Sequence, residues 1–191
     1  MALGGVTRYA VCMRSFVLRF ALIAVFLGLG FWAYAQRPSG VGQGWEGEFD
    51  LASSHNLDLA KAIPEAKYGW RPGPGIRSCS EVFMHIAVGN YFLLGQAGIK
   101  VPGAPKIDQN TEKTVTAKAE VIDFLLASQD AVRKGSTGID RKKAVKFFGQ
   151  DSTVDGVLLR LLVHNHEHMG QMIAYARMNG VAPPWTGRPG E

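Results

Sequence analysis

From Trp45 onward, apolar residues recur every three or four positions in four separate segments, each closed by glycine or proline, and no segment alternates apolar with polar residues. A recurrence near 3.6 residues lines one face of a helix, whereas a strand needs a recurrence of two. The chain is therefore expected to be all-α. The first segment, residues 46–63, carries Phe49, Ala52, Asn56, Leu59 and Ile63 on one stripe and stops at Pro64. The second, residues 79–97, opens on Ser78-Cys79-Ser80-Glu81, a capping box, and stops at Gly98, with Val82, His85, Gly89 and Phe92 as its inner stripe. The third, residues 112–134, places Val115, Ala119, Ile122, Leu126 and Gln129 on a core face. The fourth starts at the box-like Ser152-Thr153-Val154-Asp155 and runs to Asn179-Gly180, after which Pro183-Pro184 forbid continuation. The connector before it holds a short helix over residues 142–148. The expected architecture is a four-helix bundle with that short extra helix in the connector before the last long helix.

The last helix contains His164, His166 and His168 within five residues. Side chains four apart differ in direction by about 40°, so His164 and His168 share a face while His166 points nearly opposite. That face is also the apolar one, because Val157, Leu161, His164, His168, Met172 and Tyr175 follow the same spacing. Unpaired imidazoles inside a bundle each cost on the order of 1 to 3 kcal/mol, and a shared cation satisfies both. His85, on the inward stripe of the second helix, taken alone reads as a hydrogen-bonded core residue, but beside the pair it offers a third ligand from a facing helix. Three histidines leave a coordination position open, as in catalytic zinc sites, whereas structural sites use four protein ligands. The helix lacks Glu after His164, where Asn165 stands, so no metalloprotease base is assigned.

Three residues are candidates for orienting the ligands or bordering the site. Glu167 lies between His164 and His168, with a solvated or interhelix pairing role as its alternative. Gln171 lies one turn beyond His168, with core or interface hydrogen bonding as its alternative, and Asn90 follows His85 with Tyr91, both placed to line a pocket or to serve an interface. Cys79, six residues before His85, falls off the ligand face and reads as structural. His55 lies near the inner stripe of the first helix and either extends the site or is satisfied elsewhere, while Trp45 and Trp185 read as packing for the bundle ends.

Arg14 and Arg19 precede an uncharged apolar run over residues 20–35 that closes on Ala33-Tyr34-Ala35, the layout of a cleaved signal peptide. The natural start is either Met1 or Met13. The alternative reading is an uncleaved membrane anchor, for which about 16 apolar residues are short of the roughly 20 that span a bilayer. Residues 1–35 are thus assigned to the signal, 36–44 to a Gly/Pro/Ser-rich flexible linker, 45–185 to the bundle and 186–191 to a tail. Cleavage leaves 18 basic against 16 acidic residues and lowers the net charge from +5 to +2, so no phosphate-tracking surface for nucleic acid remains. Only Cys79 survives cleavage, which excludes an intrachain disulfide. The mature chain is expected to be exported, periplasmic or extracellular, without stable membrane insertion.

The order Tyr68-Gly69-Trp70-Arg71-Pro72, then a helix with His85, then His164-x-x-x-His168-x-Gly170-Gln171, Tyr175-Ala176-Arg177-Met178-Asn179-Gly180 and Pro183-Pro184 resembles the DinB-like (DinB/YfiT) family over residues 45–185. The resemblance implies a four-helix bundle, often a homodimer, with His85, His164 and His168 holding zinc, or alternatively nickel. Some members of that family are thiol-dependent transferases or isomerases. An exported protein meets few low-molecular-weight thiols, which weighs against that activity and toward hydrolysis of a small substrate. The expected function is a metal-dependent hydrolase or transferase of unknown small substrate. The alternative is a non-catalytic metal-binding, structural or interaction protein.

Overall fold

The computed structural model describes residues 40–186; the expected signal, the first part of the linker and residues 187–191 lie outside the described residues. Four long helices dominate: α1 (Gly44–Ala62), α2 (Cys79–Gln96), α4 (Lys118–Ser136) and α5 (Val154–Met178). A single-turn helix α3 (Thr111–Thr114) precedes α4, and a hairpin of β1 (Ala144–Phe147) and β2 (Gln150–Thr153) precedes α5. Both α1 and α2 pack against α4 and α5, so α1 and α2 occupy opposite corners of the bundle. None of the described helices is long and apolar enough to cross a membrane.

The helix ends follow from local chemistry. Ile63, ahead of Pro64, is extended at ψ 123°, as the proline ring requires of its predecessor. The capping box of α2 is complete: Ser78 Oγ accepts from the Glu81 amide at 3.3 Å, and Ser78 N–H donates to Glu81 Oε2 at 2.8 Å. Gly98 takes the left-handed conformation after α2, at φ 72°. The start of α5 differs by one residue from expectation. Thr153 is its cap, accepting from the Gly156 amide at 3.2 Å, and Ser152 lies in β2.

Two expectations are corrected. Residues 142–148 do not form a helix. Val145 and Phe147 alternate with exposed Ala144 and Lys146 in β1, and pack their half-buried side chains on the core formed with Leu93 and Val154. The third segment is not one helix: Val115, at ψ 100°, separates α3 from α4. The run Thr114-Val115-Thr116 is β-branched throughout, which weakens helix there. Separated from α3, α4 turns its core face by about one residue, so Val121, Leu125 and Val132 are buried whereas Leu126 is exposed. Ahead of α1, Gly42 N–H donates to Glu48 Oε1 at 2.7 Å, and Gly47 lacks a Cβ that would meet the Gly40 carbonyl at 2.7 Å.

The apolar core divides into two clusters. One gathers Leu59, Val82, Phe83, Leu125 and Met172; the other gathers Phe49, Leu94, Val132, Leu158 and Leu161. Between them runs a buried polar belt with residues from all four long helices. Asn56 donates to the Asn165 carbonyl at 3.2 Å, Asn165 to Asn90 Oδ1 at 2.8 Å, and Asn90 to Ser128 Oγ at 3.1 Å. Gln129 Nε2 adds a bond to the Ser53 carbonyl at 2.9 Å. Such directional bonds penalise any sliding of one helix against another, which fixes the axial register of α2 against α5. His164 immediately precedes Asn165, so the belt also sets the height of the histidines.

Candidate metal centre

His85 of α2 meets His164 and His168 of α5. The ring centroids form a nearly equilateral triangle, with separations of 4.9 Å (His85 to His164), 4.7 Å (His85 to His168) and 4.6 Å (His164 to His168). Each ring offers a nitrogen, and these atoms all lie within 4.8 Å of one another. His85 Nε2 and His164 Nε2 are 3.2 Å apart. Two nitrogens bound to one tetrahedral zinc at about 2.0 to 2.1 Å stand about 3.3 Å apart, so this pair is spaced for a shared ion. The rings are half-buried, at the rim of the core stripe with one side open.

Their neighbours decide which nitrogen is available. His85 Nδ1 lies 2.6 Å from Glu112 Oε1, and a carboxylate only accepts, so Nδ1 carries the proton and Nε2 keeps its lone pair. His168 Nδ1 lies 2.8 Å from Gln171 Oε1, with the same consequence. Gln171 is itself held: its Nε2 donates to Tyr175 Oη at 3.0 Å, and Tyr175 donates to the Arg77 carbonyl at 3.2 Å. Arg77 Nε donates to the second oxygen of Glu112 at 2.9 Å, which fixes that carboxylate. An imidazole tied through Nδ1 to a fixed acceptor is the arrangement that orients metal ligands.

His164 differs. Its Nδ1 is buried without a hydrogen-bond partner, and the ring is positioned by packing on Gly89 of α2. A Cβ at position 89 would fall 2.4 Å from its Cε1, so only glycine allows α2 and α5 this close here. Wherever the His164 proton sits, one buried nitrogen is left unmatched by the chain. If it sits on Nδ1, two Nε2 lone pairs face each other, and a cation resolves that repulsion. The residues present therefore fit a divalent metal.

Electrostatics agree. Burial, reinforced by the proximity of His168 and His85, pushes His164 down to about 3. Burial also lowers His168, against the opposing influence of Gln171. Both rings are thus neutral at pH 7, as ligands must be. Burial alone would raise the Glu112 carboxyl, but hydrogen bonds and charge from His85 and Arg77 outweigh it and hold the group below its ordinary value.

The sequence profile of the DinB superfamily matches residues 48–172, which include all three histidines. The chain belongs to the DinB superfamily. Solved structures share its fold. A DinB-like protein from Bacillus cereus superposes with a TM-score of 0.62 at 20% identity, covering 78% of this chain and 98% of its own. A conserved protein from Enterococcus faecalis gives 0.54 at 16% identity, over 72% and 96% of the two chains. A DinB-like protein from Bacillus subtilis gives 0.52 at 15%, over 70% and 89%. No curated protein matches.

In this DinB-superfamily chain the other candidate residues separate cleanly. Gln171 touches His168 as described, whereas Glu167 faces outward and pairs with Arg160. Asn90 does not border the histidines: it is fully buried in the polar belt, because its side chain points toward Ser128 and Asn165. Tyr91 lies edge-on to Phe124, at 6.0 Å and 89°. His166 points away, its Nδ1 3.1 Å from the Leu162 carbonyl and its Nε2 3.6 Å from Glu48. His55 stacks on Trp185 at 3.8 Å, and Trp45 donates to the Leu158 carbonyl at 2.9 Å. Cys79 is buried at the start of α2, which raises its thiol to about 11. Glu112 is the residue sequence reasoning missed. Asp108 positions it by accepting from the Asn110 amide at 2.8 Å and from Thr111 Oγ1 at 3.0 Å, which starts α3.

Proposed function

We propose that the chain binds one divalent transition metal, zinc or alternatively nickel, through Nε2 of His85, His164 and His168. It leaves a coordination position for substrate and acts outside the cytosol as a metal-dependent hydrolase or transferase on a small molecule. The observation that carries this reading is the paired outer acceptors: Glu112 and Gln171 fix the protons of His85 and His168 on Nδ1, so that both Nε2 lone pairs are available to one ion. A metal there supplies Lewis acidity, polarising a carbonyl and making water more acidic. The chain's part is orientation. Glu112, Arg77, Gln171 and Tyr175 hold two rings, and Gly89 admits the third. Export is supported by the apolar run and Ala33-Tyr34-Ala35, and an N-terminus at Gln36 in protein recovered from the cell envelope or medium tests it.

The competing reading makes the ion a tie between α2 and α5. Those helices already pack together and share one apolar cluster that includes Val82, Phe83, Ile86, Met172 and Ala176, so metal is not needed to join them. Metal titration into the chelated protein tests both readings. The expected result is one tight site, a folded apo-protein, and azide binding only after metal is added. His85→Ala, His164→Ala and His168→Ala each abolish the site, whereas His166→Ala retains it. Equal loss from all four variants, or an apo-protein that unfolds, contradicts the proposal.

A further inference from the structure

The turn between β1 and β2 is two residues long, with Phe147 paired to Gln150 across it. Both turn residues have left-handed backbones, Phe148 at φ 47° and Gly149 at φ 81°. Two positive φ values in a two-residue hairpin are the signature of a type I′ turn, for which Asn-Gly is favoured and a bulky aromatic residue is disfavoured. Burial does not compensate Phe148, whose surface is 71% exposed. Its ring instead stands 5.9 Å from that of Phe92 and 4.5 Å from that of Phe147. Phe92 is itself 47% exposed.

These three rings, with Val88 and Leu93, form the apolar wall of a cavity of about 350 Å³. Its other end is made by His85, His164, Glu112 and Arg160. An apolar wall with a few convergent polar groups at one end is the layout of a small-molecule site, and the volume falls at the lower end of the roughly 300 to 1,000 Å³ such sites occupy. Glu112 is balanced by Arg77 and Arg160 by Glu167, so these side chains carry no net charge, and a divalent ion on the histidines would make this end favour an anion. Arg160 keeps N–H donors beyond the one that Glu167 accepts, since a guanidinium carries five.

We propose that this cavity selects a small substrate with an aromatic or branched aliphatic body and a terminal carboxylate, the body seated on Phe92 and Phe148 and the carboxylate directed toward the histidines and Arg160. The inference rests on the metal site proposed above. Backbone strain at Phe148 is then explained by where its ring must stand, since such strain persists where function requires it.

Calorimetric titration of the zinc-loaded protein with acetate and with 3-phenylpropionate tests it. The aromatic acid should bind about tenfold tighter or more, the gain expected from burying one phenyl group. Phe148→Asn, which creates the favoured Asn-Gly turn, should leave zinc and acetate affinity unchanged and thermal stability equal or higher. The same variant should reduce the preference for 3-phenylpropionate by about fivefold or more, and Phe92→Ala should do likewise. Acetate binding with no preference for the aromatic acid overturns this inference alone. Failure of acetate, 3-phenylpropionate and azide all to bind overturns the open metal position with it. If sedimentation shows that Phe148→Asn converts a dimer to a monomer, the aromatic wall is a self-association surface and the inference is wrong.

Discussion

Gly89→Ala isolates the contact on which the third ligand depends. The added Cβ would lie 2.4 Å from His164 Cε1, 3.0 Å from its Nδ1 and 3.2 Å from its Nε2. Ordinary carbon contacts need at least about 3.4 Å, so the ring must retreat by about 1 Å. Metal–nitrogen bonds of about 2.0 to 2.1 Å tolerate only about 0.2 Å, so His164 leaves bonding range. Losing an outer hydrogen-bond partner typically costs 10- to 100-fold in metal affinity, and losing a ligand should cost at least about 100-fold, or about 2.7 kcal/mol. The fold itself should survive, because alanine gains about 1 kcal/mol over glycine inside a helix and offsets part of the crowding. Gly95→Ala is the matched control: the same helix, no atom within 4 Å of the added Cβ, and hence a slightly more stable protein with unchanged metal affinity. Competition against a chromophoric chelator, with thermal melts of the apo-proteins, reads both quantities. Wild-type zinc affinity in Gly89→Ala would refute the assignment of His164 as a ligand beside α2.

Glu112→Gln should weaken zinc binding by about 10- to 100-fold, because the amide no longer favours the Nδ1 proton of His85 as a carboxylate does, and chelator competition measures it. Lowering the pH from 7 to 5 should destabilise the apo-protein. The folded-state values of His164 and His168 lie below those of the unfolded chain, so the unfolded state takes up protons that the folded state refuses, and stability is lost progressively from about pH 6.5 downward toward the His164 value of about 3. Urea unfolding across that range should show the slope, and a flat profile would contradict the buried, neutral imidazoles. Asn165→Ala should cost about 1 to 3 kcal/mol in urea unfolding, since it leaves Asn90 Oδ1 buried without its donor, while zinc stoichiometry stays at one.

Most of the bundle was legible because its helices follow their own apolar period. Phe49, Ala52, Asn56 and Leu59 are buried on one face of α1 and Ile63 just beyond its end, and the box at Ser78 and Glu81 starts α2 where its side chains require. The hairpin was hidden because its turn residue is Phe148 instead of the usual asparagine or glycine, and because Val145 and Phe147 are only two alternating positions. The break at Val115 was hidden by flanking segments that both have helical spacing. The convergence of His85, His164 and His168 could be read from one helical turn plus an inward position on a partner. Glu112 could not be read. It reaches His85 from 27 positions along the chain, on the single-turn helix α3 that the periodicity had joined to α4. Asn165 stood out in the sequence only as the residue after His164, and its role in the belt depends on helices brought together by tertiary packing.

X-ray absorption of the zinc-loaded protein addresses the ion's surroundings most directly. Three imidazole nitrogens at about 2.0 to 2.1 Å, one further light atom and no sulfur are expected, and His168→Ala should retain no stoichiometric zinc. A zinc shell with fewer than three imidazoles in the wild-type protein, or one closed by a fourth protein ligand, would contradict the open three-histidine centre.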